Sequence, residues 1–259
     1  MSSVTSRIGQ IKQPRGGYLK LSDFETITFD DDRTLSENEN INASLVGMAV
    51  DYLTRFMMGA NKEDAFRISL MGAEIAEIDN KGTLNIAKSL LNDIKGLDSQ
   101  SIINACKLVT FDIWFRNIMA ALMGTKGVGD INPDSKTISN IQILVERSLK
   151  FLEAYGPITK NGFTFEPNGY TETVNSGDGD FLTEDTLWDF KVSKYKPKPK
   201  DRLQILMYWI MGQHSGQEIY NNIYKIGIFN PRLNCIFLLD VNTIDHEIIR
   251  DIEDKVICY

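Results

Sequence analysis

An aspartate and a lysine two residues apart, in Thr186-Leu187-Trp188-Asp189-Phe190-Lys191, are the residues of this chain best spaced for chemistry. A strand repeats every two residues, so on a strand Asp189 and Lys191 project from one face, with Leu187 beside them. Asp180 lies nine residues before Asp189, after Gly177-Asp178-Gly179, and a hairpin through Glu184-Asp185 brings the two carboxylates together. Two converging carboxylates and a backbone carbonyl, that of Phe190, form an oxygen site suited to Mg2+ or Mn2+. A cation there polarises a phosphate and lowers the pKa of a bound water, while Lys191 orients that water or stabilises developing negative charge. Plainer readings of the same residues stand beside this one. Asp-x-Lys is commonly an exposed cross-strand ion pair, Gly-Asp-Gly-Asp is commonly a turn, and Asp178 competes with Asp180 as the ligand.

The elements around these residues narrow the choice. An amphipathic helix is expected over Asp201 to Met211, directly after the acid-x-lysine strand, and it carries Gln204 and Tyr208 four residues apart on one face. The succession of Asp180, a hairpin, the apolar pair Thr186-Leu187, Asp189-Phe190-Lys191 and a helix with Gln204 and Tyr208 resembles the PD-(D/E)xK nuclease superfamily, and within it the RecB-like exonuclease branch. The resemblance covers residues 177–211 and, loosely, 42–56. It implies a restriction-endonuclease-like α/β fold: a mixed central sheet flanked by helices, with the catalytic hairpin in its middle. It further implies metal-dependent hydrolysis of phosphodiester bonds in DNA, with Asp180, Asp189, Lys191 and Gln204 as catalytic residues. Asp180, Asp189 and the Phe190 carbonyl would be metal ligands, and Tyr208 would touch substrate or support the site. In that branch an early helix often carries a glycine and, four residues later, a ligating histidine. Gly47-Met48-Ala49-Val50-Asp51 has the spacing with aspartate instead, so Asp51 is either a third acidic ligand or a solvent-facing helix residue.

Composition bounds these readings. A chain of 259 residues with 42% hydrophobic and 24% charged residues is ordinary globular material. Without an apolar run near the roughly 20 residues of a membrane span, or an apolar core in Met1 to Pro14, the expectation is a cytoplasmic chain with no membrane partner. Three scattered cysteines without CxxC spacing and only two histidines favour neither a disulfide framework nor zinc. The net charge of −7 argues against bulk electrostatic binding of nucleic acid. Against that background, Lys191 to Arg202 sets six basic residues against the single acid Asp201. Lys194, Lys196, Lys198 and Lys200, held extended by Pro197 and Pro199, either follow a nucleic-acid backbone or form a solvated loop.

The chain divides near residue 156: an arm over 1–40, in which Tyr18 to Phe29 reads as either a strand or an extended segment and Met1 to Gly17 as loosely ordered, a large helical region over 41–156, and a nuclease-like core over 157–259. Helices are expected over Asn42 to Gly59, Lys62 to Ile78, Thr83 to Ile94, Ser99 to Met123 and Pro133 to Tyr155. Ser99 to Met123 is apolar on nearly every side and should be central. The segment 62–155 reads as an insertion between a first core helix, 42–56, and the hairpin. After Pro157, strands at Phe163–Phe165, Tyr170–Val174, Asp180–Leu182 and Thr186–Lys191 suggest an antiparallel meander of consecutive strands. Two more strands, Ile223–Phe229 and Asn234–Val241, and a closing helix over Asp245 to Val256 follow. Two other functional classes remain open: a catalytically silent nuclease-fold module that binds nucleic acid or protein, and a helical interaction protein acting through 62–155. The absence of a helicase motif leaves room for a partner protein or a homo-oligomer.

Overall fold

The computed structural model describes residues 2–124 and 127–259; Met1 in the expected arm, and Thr125 and Lys126 in the expected helical region, lie outside them. The chain forms two compact units, one built from the residues up to Asp31 together with Phe151–Tyr259, the other from Asp32–Lys150.

The first unit is a mixed α/β structure. Its strands are β1 (Ser2–Ser3), β2 (Glu25–Thr28), β3 (Lys160–Phe163), β4 (Val174–Ser176), β5 (Gly179–Leu182), β6 (Thr186–Phe190), β7 (Lys225–Asn230) and β8 (Cys235–Asp240). Six of them form one sheet in the order β2-β8-β7-β6-β5-β3. Within that sheet β6 and β7 run parallel and the other pairs antiparallel, and the helix Pro199–Ser215 provides the crossover that a parallel pair requires. Pro199 opens this helix, where its missing N–H costs nothing, and Gly216 ends it in a left-handed conformation, φ +77°, that suits a residue without Cβ.

Alternation along β6 sorts its side chains onto the two faces. Leu187 packs with Leu203, Leu206 and Met207 of the Pro199–Ser215 helix. Trp188 faces the other way, against Phe151, Phe181 and Phe229. Phe151 stacks on Phe229 with centroids 4.1 Å apart and meets Trp188 edge-on at 4.9 Å. The last turn of the helix Ser135–Tyr155 is therefore what covers that face within this unit. The expected first core helix, 42–56, belongs to the helical unit instead, and so the insertion expected over 62–155 ends in residues that are part of the sheet unit's own core.

Two expectations for this half change. The N-terminal residues, expected as an arm, are built in: of the two readings of Tyr18 to Phe29 the strand is found, β2 pairing with β8 as an edge strand, and in the segment expected to be loosely ordered the helix Val4–Gln10 buries Val4 and Ile8. The meander is also not consecutive. β3 pairs with β5, while β4 leaves the sheet to pair with β1 in a two-stranded ribbon. Ser2 sends both its N–H and its hydroxyl to the Thr173 carbonyl, so a distant segment satisfies the backbone that β3 would have paired.

The second unit is helical. Asn42 caps the helix Ala43–Met57 by accepting from Ser44 N–H. The expected helix 62–78 is broken at the buried Phe66 into Lys62–Ala65 and Arg67–Asp79. The expected central helix 99–123 is corrected further. It runs as Ser99–Leu108, a 3₁₀ turn, Asp112–Arg116 and Ile118–Leu122, with Asn117 out of helical conformation (φ −156°, ψ 78°) and capping the last piece. Its first part is buried, but Phe115, Ile118, Met119, Leu122 and Met123 are exposed. At the centre of the unit, buried Asp112 accepts from Tyr52 Oη and from Ser69 Oγ, both at 2.6 Å, with Arg116 Nε 3.5 Å away.

Candidate metal-dependent hydrolytic site

Four of the residues expected to act together do meet, on the face of the sheet covered by the Pro199–Ser215 helix. Asp189 follows Leu187 by one strand repeat and is buried, 4% exposed, with its Oδ1 3.1 Å from Lys191 Nζ. Lys191 lies just past β6, held in line by its N–H to the Phe229 carbonyl at 2.9 Å. One helical turn links the remaining two. Lys191 Nζ donates to Gln204 Oε1 at 3.4 Å, and Gln204 Nε2 donates to Tyr208 Oη at 2.8 Å. Gln204 thus bridges the ammonium group and the phenol, as i,i+4 residues on one face can.

Asp180 enters through a gap in the sheet. The β5–β6 ladder pairs Phe181 with Trp188 and Leu182 with Leu187 and goes no further. Beyond it, Asp180 Oδ2 accepts the Phe190 N–H at 2.7 Å in place of a backbone carbonyl. In an extended residue N–H and C=O leave the strand on the same side, so the Phe190 carbonyl faces the Asp180 side as well. Gly179, just before it, leaves room for the neighbouring strand: a Cβ there would lie 1.9 Å from the ring of its β3 partner Phe163. Asp178, the competing candidate, is exposed, and the Phe190 contact belongs to Asp180.

The electrostatics set two protonation states. Burial pushes the Asp189 carboxyl above the ordinary carboxylate range, with Lys191 pulling back in part. Burial disfavours the Lys191 ammonium, but Asp189 and Asp180 outweigh it and hold its pKa above the usual lysine value. Lys191 is therefore a charged donor at neutral pH, with no lone pair to act as a base. Burial also raises the Tyr208 phenol, so it stays protonated.

One atom of the site has no partner: Asp189 Oδ2 is buried and makes no hydrogen bond. Buried carboxylate oxygens are normally satisfied, and an orphan one fits a cation ligand. Among the described residues no group of three or more His, Cys, Asp or Glu is placed to hold a metal ion. The donors present are two carboxylates and a carbonyl. That set fits Mg2+, which commonly takes one or two protein carboxylates and fills its other positions with water and substrate phosphate. Asp51, considered as a third ligand, sits on Ala43–Met57 in the helical unit, where Arg55 binds both its oxygens at 2.9 Å.

The basic segment is shaped rather than loose. Lys194, Lys196, Lys198 and Lys200 are exposed, but the backbone between them is anchored. Buried Arg202, read in the sequence only as part of the basic run, donates to the carbonyls of Gly16 and Leu19, each at 2.9 Å, and to that of Pro197. Asn230, 1% exposed, donates Nδ2 to the Ser193 carbonyl at 2.8 Å. Neither anchor is legible from spacing, because Gly16 and Leu19 lie far from Arg202 in sequence, as Ser193 does from Asn230. Outside the site, His214 Nε2 meets Glu253 Oε1 at 2.9 Å and its ring stacks on Tyr259.

The fold and site together define a mixed α/β unit whose sheet carries an acid-acid-lysine face beneath a glutamine–tyrosine helix. Comparison with protein-family models, with curated proteins and with solved structures yields no match to the chain. Among the described residues no helix is long and apolar enough to cross a membrane.

Proposed function

We propose that this protein is a metal-dependent nuclease of the PD-(D/E)xK type, with a restriction-endonuclease-like sheet unit, that hydrolyses phosphodiester bonds of DNA. The observation that carries the reading is the partnerless, buried Asp189 Oδ2, set on the same sheet face as Lys191, with Asp180 of the neighbouring strand accepting the N–H of the next residue, Phe190. A bound Mg2+ or Mn2+ would supply charge to polarise the scissile phosphate and lower the pKa of a water. Asp180, Asp189 and the Phe190 carbonyl would hold it. Lys191, kept charged by its carboxylate neighbours, donates to the attacking water or to the phosphate oxygen on which negative charge grows. Gln204 fixes the lysine's direction and Tyr208 fixes the glutamine. Lys194, Lys196, Lys198 and Lys200 receive the strand, which accounts for substrate binding by a chain of net charge −7.

A second reading, a catalytically silent nuclease fold that binds nucleic acid, draws on the two-carboxylate set. Cleavage separates the two. Linear, nicked-circular and single-stranded DNA, and RNA, are incubated with the full chain in Mg2+ and then Mn2+, beside Lys191→Ala. The expected outcome is metal-dependent cleavage of DNA that falls by two orders of magnitude or more in the variant, about 2.7 kcal/mol of transition-state stabilisation. Folded protein that binds DNA but cleaves nothing sinks the first reading in favour of the second.

A further inference from the structure

One short helix of the helical unit is amphipathic in the wrong sense. Ile118–Leu122 buries Ala121 and leaves Ile118, Met119 and Leu122 exposed, at 47%, 68% and 57%. Phe115 before it and Met123 after it are exposed too, at 43% and 86%. A surface helix ordinarily turns its large apolar residues inward, whereas here the small residue is inside and the large ones are outside. Ile118 with Leu122 and Met119 with Met123 are spaced i,i+4, so these four share one face. Single exposed apolar residues are ordinary, but a contiguous group marks a contact surface. We propose that this face, over residues 115–123, is the interface through which two copies of the chain associate.

The face is built rather than frayed. Asn117 steps out of helical conformation and its side-chain oxygen accepts the Ala120 N–H at 3.1 Å, which restarts the helix from a fixed cap. The N–H groups of Ala121 and Met123 then close on the carbonyls of Asn117 and Met119, at 3.1 and 3.2 Å, and Gly124 ends the turn at φ +93°. Side chains presented on an ordered backbone do not have to be organised by the partner.

The area suits a pair. At these exposures the five side chains present on the order of 500 Å2 of apolar surface, a size of patch that is commonly functional on a single chain. Two copies meeting here bury roughly 1,000 Å2 from these side chains alone, the area that a specific interface has to reach before its rim is counted.

Charge selects the occupant. A chain of net charge −7 repels its own copies over most of its surface. In a two-fold contact the same patch lies on both sides, so it must not set acid against acid. Residues 113–123 include a single ionisable side chain, Arg116, whose Nε lies 3.5 Å from Asp112 Oδ2. The patch is therefore nearly neutral and self-compatible, and it lacks the cluster of basic residues with which an anionic membrane surface is met. Met119 and Met123, flexible and unbranched, adapt to whichever side chains of the second copy oppose them.

The test is sedimentation equilibrium of the 259-residue chain from submicromolar to submillimolar concentration, without metal or DNA, so that its outcome is independent of the nuclease reading. Against a single-chain mass of 29.3 kDa, a reversible two-chain particle is expected, and one not weakened by salt, since no ion pair holds it. Met119→Glu combined with Leu122→Glu sets like charges across the contact and should raise the dissociation constant roughly a hundredfold or more, as should Met119→Lys combined with Leu122→Lys. Mixed together, the acidic and basic variants should re-form a two-chain particle, now weakened by salt. All four substitutions fall on exposed positions, so the helical circular dichroism signal should be unchanged. A wild type that keeps the mass of one chain throughout overturns the proposal, and its flotation with phosphatidylcholine vesicles would give the face to a lipid surface instead. Association undiminished in both variants, or variants that do not recover on mixing, also overturns it. Loss of the helical signal in the variants would make the face part of the fold and overturn it equally.

Discussion

Two buried carboxylates, one in each unit, have nearly opposite surroundings. Asp112 in the helical unit is 1% exposed and has each oxygen matched, one by the Tyr52 hydroxyl and one by that of Ser69, with Arg116 beside it. Asp189 in the sheet unit is 4% exposed and has one oxygen on Lys191 and the other on nothing. Burial raises the pKa of both. A closed cluster such as that of Asp112 stabilises a packing arrangement, because removing any member strands the others. An open one such as that of Asp189 costs stability until something fills it, which is the usual condition of a ligand site.

The contrast breaks most visibly in stability. Asp112→Ala strands the Tyr52 and Ser69 hydroxyls and is expected to cost about 3 kcal/mol, within the range for breaking a buried polar network. Asp189→Asn keeps an oxygen for Lys191 and removes charge from a buried group whose second oxygen has no partner, so it should cost less than about 1 kcal/mol while abolishing cleavage. Denaturant unfolding of both variants, followed by the helical circular dichroism signal, compares them directly. Equal losses would mean that Asp189 is as structural as Asp112.

A smaller effect is expected in the pH dependence. Because the folded pKa of Asp112 lies above its unfolded value of about 3.9, the folded protein binds more protons in that window. Its contribution to stability is fully present below the unfolded pKa and is lost as pH rises through the folded one. Buried Asp189 adds a slope of the same sign, so unfolding free energies across the acidic range should fall less steeply with pH in Asp112→Asn than in the wild type. A slope unchanged by the substitution would assign it to other groups.

The smallest effect concerns Asp51. A half-exposed i,i+4 pair contributes about 0.3–0.5 kcal/mol, so Asp51→Ala should shift unfolding by that amount and leave metal-dependent cleavage in place. Loss of cleavage would instead restore Asp51 as a ligand.

Much of the site was legible because its signals are local. Asp189 and Lys191 share a face by strand period, Gln204 and Tyr208 by helix period, and the helix expected from Asp201 to Met211 is found as Pro199–Ser215. Features set by distant partners were not legible. Nothing in Val174–Ser176 distinguishes pairing with Lys160–Phe163 from pairing with Ser2–Ser3, and the choice falls to long-range contacts. The break at Asn117 has a local signal, since asparagine favours caps over helix interiors, but the run of apolar residues on either side masks it. Their exposure beyond Phe111 has no mark in the sequence pattern. Arg202 and Asn230 were unreadable for the same reason as β4: their carbonyl partners lie on other segments.

The difference between the two carboxylates is tested most directly by calorimetric titration of Mn2+ into the wild type, Asp189→Asn and Asp112→Asn. Saturable binding is expected in the wild type, retained in folded Asp112→Asn and lost in Asp189→Asn. Binding that persists unchanged in Asp189→Asn, or fails in the wild type, would contradict the assignment of Asp189 as an open ligand and with it the metal-dependent site.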